Sequence, residues 1–328
     1  MEGSLLMLRP SGKDYLWGGS RLNDDFSKGI DMNPLAETWE CSTHPDGPAY
    51  VFGGEYDGMT LKEVLSKHPE YMGRHARPDG EIPILIKFID AKSALSVQVH
   101  PSDEYAFEYE YGQLGKTEMW YVLGAKKSAS LVHGFALDVN PGIIRESINN
   151  GTIEKYLQKV PVKKDDVLII HPGTVHAIGD GILIAEIQQN SNITYRLYDY
   201  DRTDKNGKKR RLDIEKALDV LNMKSSKPPR QPMRVLRYRP GMASELLCRC
   251  KYFQTERLLI NTERCRDMAV MTFKQDTFQF LLCVDGCGSI YEDNSVISFF
   301  AGDCIFVPAG DMKQIKFHGK ATILRVSC

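Results

Sequence analysis

The sequence lacks a charge surplus, a long apolar run near its start and a regular cysteine spacing, and each absence removes a class of function. Its 328 residues carry 42 Lys+Arg against 43 Asp+Glu, a formal charge of −1, so no global field draws the chain to nucleic acid or to an anionic membrane surface. An anionic ligand would need a local basic cluster. In MEGSLLMLRPSGK an acidic residue and a short apolar stretch precede Arg9-Pro10, which fits neither a signal-peptide core nor a membrane span. A cytoplasmic protein is expected. The eight cysteines have no repeated spacing, seven lie beyond residue 240, and Cys248-x-Cys250 is one residue short of a redox Cys-x-x-Cys. Reduced thiols are expected, without a disulfide framework or a cysteine metal knuckle.

Short runs of Val, Ile, Tyr and Phe punctuated by Gly, Pro, Asp and Asn dominate from residue 80 onward, the pattern of an all-β sandwich or barrel. Helical signals are few. Thr60-Leu-Lys-Glu63 forms a capping box with Leu61, Val64 and Leu65 as an apolar stripe, and Ile214, Ala217, Leu218 and Leu221 recur at helical spacing behind Asp213. The segment MKSSKPPRQPM, residues 223–233, reads as a linker. It separates an expected N-terminal metal-binding domain, 1–222, from a C-terminal barrel, 234–328, that carries no metal.

One internal repeat supports two similar β-units. In Asp166-Val-Leu-Ile-Ile-His-Pro-Gly173 and Asp303-Cys-Ile-Phe-Val-Pro-Ala-Gly310 an acidic turn leads into four apolar residues and a tight turn. Three residues past the glycine stands His176 in the first copy and Lys313, a rare metal ligand, in the second. Only the first unit carries a potential ligand there.

Strict alternation in Leu95-Ser-Val-Gln-Val-His100 puts Ser96, Gln98 and His100 on one strand face, with Gln98 and His100 about 7 Å apart along the strand. An exposed polar face would read the same way. Glu118 opens the hydrophobic run Glu118-Met-Trp-Tyr-Val-Leu123; buried, it needs either a cation or an ion pair with Lys116. His176 follows the Pro172-Gly173 turn, where a solvent-exposed turn histidine is the plainer reading. Taken together, two imidazoles, a carboxylate and an amide oxygen with room for water or substrate describe an open catalytic metal site, best matched to zinc, with iron, manganese or cobalt also compatible. His44, His68, His75, His133, His171 and His318 lack such company.

At these residues the chain resembles the type I mannose-6-phosphate isomerases of the cupin superfamily, in the short bacterial form. The resemblance covers Trp17-Gly-Gly19, Glu37-Thr-Trp-Glu40, His44-Pro45, Leu95-Ser-Val-Gln-Val-His-Pro101, Lys116-Thr-Glu118, Pro172-Gly-Thr-Val-His-Ala177 and Glu186-Ile-Gln-Gln-Asn-Ser-Asn-Ile-Thr-Tyr-Arg196 through Arg202. It implies a mainly β fold of two cupin (jelly-roll) β-barrels with a few short helices. It also implies one Zn2+ per chain on Gln98, His100, Glu118 and His176, and an active-site arginine at Arg196. The long helical insertion of the eukaryotic-type enzymes is missing, Asn192 stands where aspartate is common, and Arg202 replaces a lysine ascribed to phosphate binding.

The implied reaction interconverts mannose 6-phosphate and fructose 6-phosphate through an enediol, and it needs a base beside C1 and C2. Alternation in Leu183-Ile-Ala-Glu186-Ile-Gln188 sets Glu186 with Ile184 and Gln188, and the resemblance points to the same glutamate; a strand residue paired with Arg196 is the alternative. Arg196, Arg202 and Lys116 are expected to recognise the phosphate, with Ser96 within reach of the substrate. The run Lys205-Asn-Gly-Lys-Lys-Arg-Arg211 reads as an exposed turn outside the site. The expected partner is a small sugar phosphate, with no nucleic acid or membrane, in a monomer or homodimer. A metal-dependent cupin of the dioxygenase class and a non-catalytic sugar-phosphate binder are the rivals.

Overall fold

Ile84–Ala91 and Ile182–Gln189 are buried at every position, as expected of strands covered on both faces, whose sequences run apolar without alternation. They are antiparallel neighbours in a six-stranded sheet ordered Val167–Ile170, Glu118–Ala125, Ile182–Gln189, Ile84–Ala91, Glu37–Cys41, Ser11–Lys13. The structure is a computed structural model that describes residues 5–203, 206–273, 276–292, 295–310 and 314–328. Lys313 and Lys205 lie outside the described residues.

A five-stranded sheet, ordered Tyr195–Tyr198, Val97–Val99, His176–Ala177, Ser130–Phe135, Leu157–Pro161, faces the first. Ile89, Trp120, Val122, Leu168, Ile182 and Ile184 from one sheet close on Leu131 and Val160 from the other. The opposite face of the six-stranded sheet, with Ile84, Ile86, Phe88, Met119, Tyr121 and Ile187, packs on Phe278, Phe280, Phe306, Leu324 and Val326 of a third sheet. Burying side chains of this size contributes roughly 1.5–3 kcal/mol each, which fixes the six-stranded sheet between two layers.

The third sheet has ten strands, running from Arg237–Arg239 through Met242–Arg249, Gln254–Asn261, Gln314–Ser327, Gln279–Glu292 and Cys304–Val307 to Leu6–Arg9 and Tyr50–Phe52. Ala269–Thr272 and Ser295–Phe300 pair off this path. Strand pairing therefore crosses the 223–233 segment, since Leu6–Arg9 lies between Cys304–Val307 and Tyr50–Phe52. Segment 223–233 carries no strand or helix and touches the sheets through the Phe135–Ser225 bridge and the Gln231 Oε1 that accepts from the Val167 N–H at 2.8 Å.

The fold is mainly β with a few short helices, as expected. Thr60 and Glu63 form the reciprocal capping box on Leu61–Lys67. The second expected helix spans Ile214–Val220, but Asp213 makes no side-chain cap bond; its carboxylate turns to the Arg196 N–H at 3.4 Å. The repeat has a shared local cause, for Asp166 accepts from the Lys163 N–H at 2.9 Å and Asp303 from the Phe300 N–H at 2.8 Å, each turn closing three residues back. No helix among the described residues is long and apolar enough to cross a membrane.

Candidate metal centre and active-site cavity

The two facing sheets bring together residues that are far apart in sequence. His176 pairs with Gln98 in the five-stranded sheet, and Arg196 pairs with Gln98 from the other side. In the six-stranded sheet Glu186 stands opposite both Trp120 and Lys87, and Gln188 opposite Glu118. Pleating turns Glu118, Trp120, Glu186 and Lys87 to the interior together.

His100, Glu118 and His176 are buried and offer ligand atoms that all lie within 4.8 Å of one another. His100 Nε2 is 3.1 Å from Glu118 Oε1 and 3.1 Å from His176 Nε2, and the Gln98 carboxamide is 3.3 Å from His176 Nε2. The Thr174 carbonyl, 2.8 Å from His176 Nδ1, can only accept, so Nδ1 carries the proton. Burial first, and Lys116 next, push His100 down to about 3; burial also takes His176 down to about 4 against the pull of Glu118. A neutral His176 with Nδ1–H bonded to a carbonyl directs its Nε2 lone pair into the cluster, the arrangement that orients metal-ligating histidines. The cluster fits a divalent metal.

Glu118 is fully buried, which by itself disfavours its charge, yet Lys116 at 2.8 Å and His100 outweigh the burial and hold it well below the usual carboxylate range. Glu118 thus has both the ion pair with Lys116 and the two imidazoles. Glu186 is pushed the other way. Burial first, then the Glu118 charge, raise its carboxyl to about 7. Trp120 links the pair, its Nε1–H lying 3.1 Å from Glu118 Oε2 and 2.8 Å from Glu186 Oε2.

Of these groups Gln98, Lys116 and Glu186 line a cavity of about 260 Å³, together with Glu37, Lys87, Ser96, Arg196 and Arg210, with Tyr15 and Trp17 at its wall. Glu186 does not pair with Arg196. Arg196 instead donates from Nε to Ser96 Oγ at 3.2 Å and from Nη1 to the Arg211 carbonyl at 3.1 Å. Arg202 is not among the lining residues; it donates to the Ala94 carbonyl at 2.6 Å and pairs with Asp199. Arg210, inside the run read as an exposed turn, folds back onto the same Asp199 at 2.7 and 2.5 Å and lines the cavity.

Lys87 was not singled out by sequence. It is buried 3.5 Å from Glu37 and 3.8 Å from Glu186; burial works against its charge, but the two carboxylates prevail and raise its pKa. Its signal was a lone charge inside Ile84-Leu-Ile-Lys-Phe-Ile, costly in any interior that offers no counter-charge.

The family model described as phosphomannose isomerase type I, catalytic domain, matches residues 5–127. The putative mannose-6-phosphate isomerase YvyI of Bacillus subtilis (strain 168) is 34% identical over 329 residues, covering 99% of each chain. The probable mannose-6-phosphate isomerase GmuF of the same organism is 42% identical over 219 residues, 66% of this chain and 68% of the relative. Among solved structures, the mannose 6-phosphate isomerase from Bacillus subtilis superposes with a TM-score of 0.88 at 32% identity, over 99% of both chains.

Proposed function

Because this chain belongs to the type I mannose-6-phosphate isomerases, which are aldose–ketose isomerases, we propose that it interconverts mannose 6-phosphate and fructose 6-phosphate through an enediol with Glu186 as the base. The observation that carries the reading is the pair of carboxylates joined by Trp120, one held ionised and one raised to about 7. Environments that push two neighbouring acids apart assign them different roles. Glu118 stays charged to hold a cation, while Glu186 is poised to exchange a proton near neutral pH.

Gln98, His100, Glu118 and His176 would hold one Zn2+ per chain. Bound there, the ion would supply positive charge beside the sugar oxygens during the reaction. Glu186 takes the proton from C2 and delivers it to C1, while the hydroxyl proton passes from O2 to O1. Lys87 and Lys116 border the same cavity and compensate the negative charge that develops. Arg196 and Arg210 face the cavity as forked donors suited to a phosphate, and Ser96, bonded to Arg196, fixes its guanidinium. Arg202 serves the phosphate indirectly, by holding Asp199 under Arg210.

All of these groups fall within residues 1–222, and we assign the catalytic role to that part, with 234–328 as its support and 223–233 as the connection, in a cytoplasmic monomer or homodimer. Chelator treatment should abolish interconversion of mannose 6-phosphate and fructose 6-phosphate, and zinc should restore it. Full turnover in protein shown by elemental analysis to be metal-free would overturn the reading.

A further inference from the structure

We propose that the concave face of the C-terminal sheet is a second ligand site, one that takes a small hydroxylated phosphomonoester. It is a cavity of about 590 Å³ that shares no lining residue with the cavity described above. Strand register builds it. Arg239 stands opposite Met242 and Arg237 opposite Ser244, so the two arginines project from one face of an edge strand, with the 77% exposed Tyr238 between them on the other. Across the sheet Gln254, Ser327 and Gln279 form one transverse row, and Glu256 with Arg325 the next.

Among the described residues six cations line this face, Arg74, Arg237, Arg239, Arg249, Lys251 and Arg325, against the side-chain carboxylates of Glu256 and Asp276; Lys251 also lies 3.5 Å from Asp103 and Arg74 donates to the Cys328 carbonyl. Both carboxylates are already taken, Glu256 by Arg325 and Asp276 by Arg74 at 3.2 Å. Among the described residues Arg249 has only the neutral Gln254 amide, at 2.7 Å. Arg237 and Arg239 have no ion-pair partner among the described residues. Guanidinium forks of this kind match phosphate oxygens with parallel hydrogen bonds.

The second observation is independent of charge. Gln279 is 4% exposed and lines the cavity, and its Oε1 makes no hydrogen bond among the described residues. A buried carbonyl without a donor is destabilising unless something supplies one. A phosphomonoester dianion has none to give, whereas a hydroxyl elsewhere on the same molecule does. The arginines thus select the phosphate end and Gln279 the hydroxylated end.

The metal-loaded full chain is to be titrated calorimetrically at pH 8 with glycerol 3-phosphate and, separately, with methyl phosphate, a phosphomonoester dianion without a hydroxyl. Arg237→Ala/Arg239→Ala should weaken one glycerol 3-phosphate binding event at least tenfold while leaving kcat/KM for mannose 6-phosphate unchanged. A double variant that titrates like the parent overturns the site. Methyl phosphate binding there as tightly as glycerol 3-phosphate overturns the role of Gln279. Should the double variant lose its fold, Arg249→Ala decides in the same way: a weakened event supports the site and an unchanged titration overturns it.

Discussion

The indole Nε1–H of Trp120 lies 2.8 Å from Oε2 of Glu186, on the strand directly opposite. A hydrogen bond to a carboxylate favours its charged form, so the indole works against the burial that raises Glu186. Trp120→Phe keeps the ring and removes the donor. The acid limb of kcat/KM should then move upward by on the order of one pH unit, with metal content retained. A pH profile superimposable on that of the parent enzyme would deny the indole this role.

With Glu186 as the proposed base, active when ionised, kcat/KM should fall as pH drops through its pKa. That pKa is raised from 4.5 to about 7 by burial and by Glu118; a divalent ion held by Glu118 would pull it back, which would place the limb between those values in the loaded enzyme. A flat profile down to pH 4.5 would exclude Glu186.

Glu186→Gln should lower kcat by roughly 10²–10⁴-fold, the usual contribution of a positioned base. It should also raise the melting temperature of metal-free protein at pH 8 more than at pH 5. The sign follows from the raised pKa: between 4.5 and about 7 the folded state binds more protons than the unfolded one, so stability falls as pH rises. Glutamine carries no such proton. Differential scanning calorimetry at the two pH values checks it.

Lys87→Ala should destabilise the protein by about 3–5 kcal/mol, because it leaves Glu37 and Glu186 buried without their shared cation. Urea unfolding measures this. Lys87→Arg, keeping the charge, should recover part of the loss.

Arg210 and Arg202 share Asp199 but should differ in kinetics. Arg210→Ala should raise KM for mannose 6-phosphate at least about tenfold, the loss of a charge-assisted pair, with a smaller change in kcat. Arg202→Ala should act on thermal stability first, through the lost bond to the Ala94 carbonyl. Equal KM effects would place both arginines on the substrate.

Much of this site was legible because its candidate ligands lie on or just past a strand whose alternation is plain, as with Gln98 on Val97–Val99 and His100 after it, or follow a marked turn, as with His176. Glu118 was legible as a charge heading an apolar run. Lys87 was not, because knowing that its strand is covered on both faces requires the third sheet, whose residues lie some two hundred positions later. Arg210 was hidden for a different reason. The Asn206-Gly207 turn was read correctly as a turn, but its return leg is drawn inward by Asp199, a tertiary ion pair that no local pattern announces. The Asp213 cap failed likewise, because a competing donor, the Arg196 N–H, comes from another strand.

The placement of Leu6–Arg9 governs the order of events at the ribosome. This strand emerges about three hundred residues before its partner Cys304–Val307, and at typical synthesis rates of about 5–20 residues per second the wait is on the order of tens of seconds. Throughout that interval the nascent N-terminal part exposes an apolar sheet face, with Phe88 and Tyr121 lacking their cover. Expressed alone, residues 1–222 would remain in that state indefinitely, prone to aggregate or to require a chaperone. The His100, Glu118 and His176 cluster can assemble from one part of the chain, but the layer that backs its sheet closes only when Phe278 to Val326 arrive.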